Sequence, residues 1–338
     1  MLLVATDPAF TEHQTWPGHP ERAQRLAAAL DGLVVASLSE ATVSLEPRAA
    51  TLEELSRVHP VEYLDAFQRF CEKGGGQVDS DTAVSEASWR AATRAAGAGL
   101  TAIEALRQGE GEAAFLAIRP PGHHATATRP MGFCLINNIA VAAAALAAAG
   151  ERVLVLDWDA HHGNGTEAIF WDDPRVFYVS LHQYGRYVYP GTGALDDVGG
   201  ERARGTKLNL PFPAGTTGDV YLRALDEVVA PAVESFGPTW VLVSAGYDAH
   251  RADPLTNLGL SAGDFADLAR RVAGFAPRPG RMILFLEGGY DLDALTTSVG
   301  ASLAALLERS FRPEPATGGG PGGSVVDAAR RLRQELDQ

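Results

Sequence analysis

Short, almost wholly apolar segments alternate along this chain with longer segments of helical character. The clearest apolar segments are 112–118 (EAAFLAI), 152–159 (RVLVLDWD), 240–248 (WVLVSAGYD) and 281–290 (RMILFLEGGY). A strand that is apolar at nearly every position is buried on both faces, and such strands are typical of parallel sheets covered by helices. The sequence therefore predicts an α/β fold: a single domain with a central, mostly parallel β-sheet flanked by helices on both faces.

Further strands are predicted at 1–6 and 175–182, and a Gly-rich stretch at 317–324 (TGGGPGGS) interrupts the pattern near the end. We predict one domain over residues 1–316, followed over residues 317–338 by a Gly-rich hinge and a short C-terminal helix. The predicted helices span residues 86–109, 134–149, 218–236, 262–275, 291–309 and 325–336.

Charge and cysteine content limit the classes of partner. The chain has 338 residues, of which 46% are hydrophobic, and its net charge is −14. This charge repels phosphate, so neither nucleic acid nor a membrane is a predicted partner. The only two cysteines, Cys71 and Cys134, are too few for a disulfide framework. Their small number favours a reducing, cytoplasmic location. The first residues, 1–10, lack the pattern of a signal peptide, and the apolar segment 139–150 is too short to span a bilayer.

Carboxylates and imidazoles follow the buried strand at 152–159. Side chains at alternate positions of an extended segment point the same way, so Asp157, Asp159 and His161 can converge. The segment DAHRADPL offers Asp248 and Asp253 as a further carboxylate. Asp159, His161 and Asp253 would give three ligands and one open position, as in a catalytic metal site. This hard donor set allows Zn²⁺, with Fe²⁺, Co²⁺ or Mn²⁺ as alternatives. Caps or turn residues are the structural alternative.

Two other strand ends carry groups suited to proton transfer and oxyanion binding. His123 and His124 follow a Pro-Pro-Gly turn, where one imidazole can take a proton from water and another can give one to a leaving amine. Tyr290 follows two glycines that let the backbone approach a ligand, and its hydroxyl can donate to a polarised carbonyl oxygen. Exposed loop histidines and a turn tyrosine are the alternatives that remain open.

Together these motifs resemble those of the histone deacetylase and acetylpolyamine amidohydrolase family, which has the arginase–deacetylase fold. The resemblance extends over residues 10–310, and several motifs occur in the family's order. They are GHPER (18–22), HPVEYLDAF (59–67), RPPGHHA (119–125), GFC.INN (132–138), DWDAHHGNGT (157–166), SLH (180–182), YPGTG (189–193), SAGYDAHRADPL (244–255) and LEGGY (286–290).

The resemblance implies a role for each matching residue of the reaction centre. Zinc would be bound by Asp159, His161 and Asp253, and the tandem histidines, His123 and His124, would act as base and acid. Their individual assignment stays open. The other implied catalytic residues are Tyr290, which would polarise the acyl carbonyl, Asp157, which would hydrogen-bond the first histidine, and Asn164, which would pair with the second.

One substitution identifies the chain as similar to class II and bacterial members. Asn164 stands in HHGNG, where class I enzymes have aspartate. A neutral partner lowers the pKa of an imidazole relative to a carboxylate partner, so we expect a lower pKa for His124.

The resemblance also implies a substrate tunnel, a structural potassium site and an inner cavity. Arg22 of HPER would line the inner cavity, where acetate leaves. The tunnel would be walled by Gly132, Phe133, Tyr189 and Leu255. The potassium ion would be held around Asp157, Asp159, His161, Ser180 and Leu181.

The predicted function is zinc-dependent removal of acetyl or other acyl groups from the ε-amine of lysine or a similar aliphatic amine. Leu255 offers no charge to a second ammonium group, which favours acyl-lysine in a peptide or protein over an acetylated polyamine. Acetylpolyamine deacetylation remains the alternative, and a non-catalytic acyl-lysine-binding or acetoin-utilisation-type regulatory protein is the rival of another class. The sequence leaves the oligomeric state open, with a homo-oligomer as one alternative.

Overall fold

The computed structural model describes residues 1–336, and its centre is one eight-stranded sheet in which every strand pair is parallel. A separate hairpin supplies the third and fourth strands of the chain. The strands are β1 Leu2–Ala5, β2 Thr42–Leu45, β3 Gly75–Gln77, β4 Ala83–Ser85, β5 Ala113–Leu116, β6 Val153–Asp157, β7 Val176–Gln183, β8 Lys207–Phe212, β9 Trp240–Ala245 and β10 Met282–Leu286.

The strand order across the sheet is β2-β1-β5-β10-β9-β6-β7-β8. Every residue of β6, β9 and β10 is buried, so both faces of the sheet's centre are covered. Helices provide that cover, and the predicted α/β fold is confirmed.

The sequence missed β2 and β8, the two strands at the edges of the sheet. Residues of β2 are half-buried or exposed, so this strand has no continuous apolar run. In β8, Lys207, Asn209 and Pro211 interrupt the apolar residues. Proline is tolerated there because an edge strand pairs on one side only. Edge strands therefore lack the signal that identified the buried ones.

Twelve α-helices occur within the described residues, and the predicted helices are among them. The helix predicted at 134–149 begins only at Asn138, because the side chain of Asn137 caps it by accepting from Ala140 N. No helix within residues 1–336 is both long enough and apolar enough to cross a membrane. The helices are α1 Ala9–Glu12, α2 Gln24–Val35, α3 Leu52–Leu55, α4 Val61–Glu72, α5 Ser88–Gln108, α6 Asn138–Ala148, α7 Asn164–Ile169, α8 Gly218–Ala224, α9 Ala230–Phe236, α10 Ala262–Ala273, α11 Leu292–Leu306 and α12 Gly323–Leu336, with a π-helical turn at Leu225–Val229 between α8 and α9.

Four loops meet at one edge of the sheet. They follow β5, β6, β9 and β10, which are neighbours in the order β5-β10-β9-β6. Because the strands are parallel, their carboxyl ends lie at the same edge, where α/β proteins bind ligands. The sheet thus brings together segments 119–124, 157–162, 246–253 and 287–290.

The Gly-rich segment that was predicted as a hinge is held by hydrogen bonds to neighbouring parts of the protein. The backbone N–H and hydroxyl of Thr317 donate to Asp264, and Gly319 N donates to Asp219 Oδ2 at 3.0 Å. Helix α12 follows and buries Val326 and Ala329. The domain boundary at residue 316 stays a prediction, and residues 337–338 lie outside the described part of the chain.

Candidate active site

Two carboxylates and one imidazole meet directly beyond β6. Asp159 Oδ1 lies 3.2 Å from His161 Nδ1, and Asp248 Oδ2 lies 2.8 Å from the same nitrogen. One donor atom from each of the three residues lies within 4.8 Å of the others. Carboxylate oxygen and imidazole nitrogen are ligands of catalytic divalent cations, so the donor set fits such an ion.

Asp253, the third ligand predicted from the sequence, lies beside this group and is not among its three members. Its Oδ1 accepts a hydrogen bond from Leu255 N at 2.9 Å, and its Oδ2 accepts one from Tyr290 N at 2.7 Å. Asp159 is used similarly, since its Oδ2 accepts from Gly288 N at 2.7 Å. Asp248 and Asp253 are both candidates for the third ligand, and the assignment to Asp253 stays a prediction.

The electrostatics of this corner suit a cation. Burial, together with the nearby charge of Asp159, raises the pKa of Asp248 to about 7. Burial favours a high pKa for Asp159 too, but the charges of His123 and His161 outweigh it and keep that pKa below its ordinary value. Asp248 and Asp159 overcome the burial of His161 and raise the pKa of its ring well above the ordinary value. Two buried carboxylates thus share one imidazole as their partner, which leaves negative charge to stabilise a cation.

The two tandem histidines have different partners. His123 Nδ1 lies 3.0 Å from Asp157 Oδ2, an oxygen that also accepts the Tyr178 hydroxyl at 3.2 Å. His124 Nδ1 lies 2.8 Å from Asn164 Oδ1. An amide oxygen only accepts, so Nδ1 of His124 carries the hydrogen, and Nε2 of the neutral ring is free to take a proton.

The pKa values of the pair move in opposite directions. Burial lowers the pKa of His123, but the carboxylates of Asp157 and Asp159 outweigh burial and raise it to about 10. Burial also lowers the pKa of His124, and the charges of His123 and His161 lower it further. The first ring therefore holds a proton at neutral pH, while the second is a neutral base.

A pocket of about 360 Å³ opens above these groups. All four predicted tunnel residues line it, together with one of the tandem histidines and the predicted catalytic tyrosine. Its lining residues are Trp16, His19, Pro20, Asp81, His124, Gly132, Phe133, His161, Tyr189, Leu255 and Tyr290.

Aromatic rings form two walls of the pocket. Phe133 meets Tyr290 edge to face at 5.7 Å between ring centroids, and Tyr189 meets His124 in the same way at 5.0 Å. Gly132 lies between them with φ of +55°. A Cβ there would come within 2.5 Å of the His124 ring and 2.8 Å of the Tyr189 hydroxyl, so only glycine fits.

The residues predicted for potassium lie on neighbouring strands. Ser180 of β7 is the register partner of Asp157 at the end of β6. Ser180 Oγ lies 2.9 Å from His182 Nδ1, and Leu181 O accepts the Tyr221 hydroxyl at 3.4 Å. Potassium binding by these residues stays a prediction.

The side chain of Arg22, which was predicted to line the inner cavity, is exposed in the structure. Arg22 precedes α2, whereas Arg25 lies on the first turn of that helix and is fully buried. Arg25 Nε donates to Gly289 O at 2.7 Å, and its guanidinium carbon lies 4.9 Å from the centroid of the Tyr290 ring. Arg25 is therefore the arginine of the HPER region that faces the interior.

Sequence reasoning also missed Trp16, Tyr178 and Glu287. Trp16 is 41% exposed at the mouth of the pocket, and its place in a Pro-Gly turn was the available signal. Tyr178 lies inside the apolar run of β7, where nothing distinguishes it from packing residues. Glu287 directly follows the fully buried strand β10, and a carboxylate so placed must have buried partners.

The fold of this chain is that of deacetylase-type hydrolases. The histone deacetylase domain family matches residues 19–306, and the chain belongs to that family. A probable deacetylase of Archaeoglobus fulgidus is 39% identical over 90% of this chain and 88% of its own length. A histone deacetylase-like amidohydrolase of Pseudomonas aeruginosa is 40% identical over 80% of this chain and 71% of its own. The crystal structure of the HDA15 HD domain has a TM-score of 0.91 and 35% identity, and covers 99% of this chain and 94% of that chain.

Proposed function

We propose that this protein is a zinc-dependent amidohydrolase that removes acetyl or other acyl groups from the ε-amine of lysine or a similar aliphatic amine. One observation carries the proposal. The neutral His124, with Nε2 free, faces the same pocket as His161 of the metal group and Tyr290. A base, a metal ligand and a hydroxyl donor around one pocket are the parts that amide hydrolysis requires.

The ion would be held by Asp159, His161 and Asp253, with Asp248 as the alternative third ligand. Zn²⁺ is the proposed metal, and Fe²⁺, Co²⁺ or Mn²⁺ also suit two carboxylates and one imidazole. Such an ion lowers the pKa of water and polarises a carbonyl. A structural potassium ion near Asp157 and Ser180 is part of the proposal.

The protein's own groups account for the proton movements. His124 Nε2 takes a proton from the attacking water and later gives it to the leaving nitrogen. His123, paired with Asp157, keeps a positive charge beside the reacting carbonyl. Tyr290 donates its hydroxyl to the developing oxyanion. Burial raises the pKa of Tyr290 well above its ordinary value, so the donor stays protonated.

The tunnel suits a linear aliphatic chain. Methylenes can lie between the aromatic faces of Phe133 and Tyr189, as the stem of an acyl-lysine would. Leu255 is 42% exposed at the mouth and contributes no charge there. This favours acyl-lysine peptides over acetylated polyamines as substrates.

The test is amine release from acetyl-lysine peptides, longer acyl-lysine peptides and acetylated polyamines, before and after chelation and with zinc restored. We expect peptide turnover that is lost on chelation and recovered with zinc. A preference for acetylpolyamines would contradict the assignment of acyl-lysine as substrate but would still support metal-dependent amide hydrolysis. A protein that binds zinc and hydrolyses none of these amides would be an acyl-lysine-binding protein.

Substitution separates the two candidates for the third ligand. We expect Asp253→Asn to lower zinc affinity by more than about 100-fold, because a ligand is lost and even a residue that only orients a ligand is worth about 10- to 100-fold. Asp248→Asn should cost less, about 10- to 100-fold, since Asp248 would then only orient His161. Metal content after dialysis against a zinc buffer measures both. Loss of zinc from Asp248→Asn alone would make Asp248 the ligand.

A further inference from the structure

Glu287 is a fully buried carboxylate directly after β10, and its closest partners lie on the loop that follows β5. Its Oε2 accepts hydrogen bonds from Gly122 N at 2.7 Å and His123 N at 3.2 Å. Its Oε1 accepts the Ser244 hydroxyl at 3.4 Å. The side chain therefore binds the backbone of the tandem-histidine loop at the point where that loop enters the pocket.

The backbone of Glu287 belongs to the second reacting loop. Arg25 donates to the carbonyl oxygens of Glu287 and Gly289, the residues that lead to Tyr290. Asp159 holds the intervening Gly288 N at 2.7 Å. Glu287 thus connects two loops. Its side chain binds the loop of the tandem histidines, and its main chain is part of the loop that leads to Tyr290.

We propose that Glu287 is a positioning residue that sets the tandem histidines at a fixed distance from Tyr290. The proposal rests on the proposed function, because those groups are the reacting ones there. A carboxylate is suited to this task because it only accepts, and one oxygen can receive two N–H groups. Without it, two buried amides would lose their partner.

Glu287 also lies close to His123 and Cys134, a group whose donor atoms could hold a metal ion. Both Glu287 oxygens already accept hydrogen bonds from Gly122, His123 or Ser244. A cation would have to compete with these N–H and O–H donors. The contacts therefore favour positioning over metal binding.

Three variants test the proposal with enzyme of measured zinc content. Glu287→Ala removes the acceptor, and we expect kcat to fall about 100-fold with KM unchanged, since a small displacement of reacting groups costs that much. Glu287→Gln keeps an oxygen for both amides and should restore most of kcat. Asp264→Ala is the matched control, because this buried carboxylate also accepts backbone N–H groups, from Ser261 and Thr317, away from the pocket. It should lower thermal stability and leave kcat unchanged.

Hydrogen exchange gives a readout that does not depend on turnover. The amides of Gly122 and His123 should be protected in the wild type and in Glu287→Gln, and should exchange faster in Glu287→Ala. Unchanged kcat in Glu287→Ala, or equal losses in the Ala and Gln variants, would overturn the proposal. Wild-type inactivity on every acyl amide, with both amides protected, would instead reject the proposed function and leave the Glu287 contact standing.

Discussion

At the scale of single residues, the partner of each tandem histidine determines what its ring can do. Asp157 stabilises the protonated, positively charged ring of His123. The amide of Asn164 instead fixes the tautomer of His124 without adding charge. Because the pKa of His124 is low, its Nε2 stays unprotonated even at pH values below the range in which histidine ordinarily titrates. The pair therefore combines a fixed positive charge with a base.

The first prediction concerns pH. A base must be neutral to act, so activity falls as pH drops through its pKa. Asn164→Asp places a carboxylate at the 2.8 Å contact with His124 and raises the pKa of that ring. We expect the acidic limb of the kcat/KM profile to move to higher pH by about 1 unit or more. The profile measured over about pH 5 to 9 checks this, and an unmoved limb would assign the base to another group.

The second prediction concerns the hydroxyl of Tyr290. Removing one oxyanion donor typically costs about 10²- to 10³-fold in rate, so Tyr290→Phe should lower kcat/KM by that factor. Tyr63→Phe is the control, because its hydroxyl donates to Leu135 O at 2.6 Å and does not line the pocket. Steady-state kinetics on one peptide compare the two. Equal activity of Tyr290→Phe and wild type would remove the tyrosine from the mechanism.

Some site residues could be named from the sequence and others could not. His124, His161 and Tyr290 follow buried strands, and parallel strands end at one edge, so their meeting was predictable. The role of Glu287 was not, because its partner Gly122 is 165 residues away and is a backbone group. The third metal ligand stays open for a similar reason, since spacing alone does not orient a loop carboxylate.

At the scale of elements, the centre and the edges of the sheet differ in how well the sequence predicts them. The strands β6, β9 and β10 are buried at every position, and an unbroken apolar run is a strong signal. Both edge strands carry polar residues, and β8 also contains a proline, so the hydrophobic pattern predicts loops at these positions. Burial of β8 depends on contacts with α12, which only the tertiary structure shows.

The third prediction concerns Lys207, which begins β8 and is 1% exposed. Its ammonium donates to Val176 O at 3.1 Å and to Thr206 Oγ1 at 2.8 Å. Burial lowers its pKa to about 8. Between that value and the unfolded pKa near 10.5 the unfolded chain binds more protons, so the folded state gains stability as pH rises.

Lys207→Met removes this titration. From about pH 8 to about pH 10 the wild type should gain about 2 kcal/mol of unfolding free energy relative to the variant. Urea unfolding of both proteins at both pH values measures the difference, and groups common to the two proteins cancel. A difference that stays constant with pH would show that Lys207 keeps its ordinary pKa.

At the scale of the whole molecule, the net charge of −14 acts on any charged substrate. An acidic surface raises the local concentration of a cationic peptide and speeds its encounter with the pocket, an effect that salt screens. The mouth adds to this field through Asp81. Among the proposed acyl-lysine substrates, the charge therefore favours those in a basic sequence context.

The fourth prediction tests this preference. For an acetyl-lysine peptide with flanking arginines, kcat/KM should fall about tenfold between about 0.02 M and about 0.3 M salt. The same peptide with neutral flanks is the control and should change little. In Asp81→Asn most of the salt dependence should remain, because the whole surface supplies the field. Equal salt dependence of both peptides would contradict electrostatic steering.

The position of β10 between β5 and β9 has a consequence for synthesis of the protein. The histidine loop follows β5 and the ligand loops follow β6 and β9; β6 and β9 pair directly, but β5 is joined to them only through residues 282–286, which lie between β5 and β9. A nascent chain that has emerged only as far as β9 therefore carries nearly every reacting group without an assembled site. The histidine loop meets the ligand loops only when β10, the strand that leads into Glu287 and Tyr290, joins the sheet.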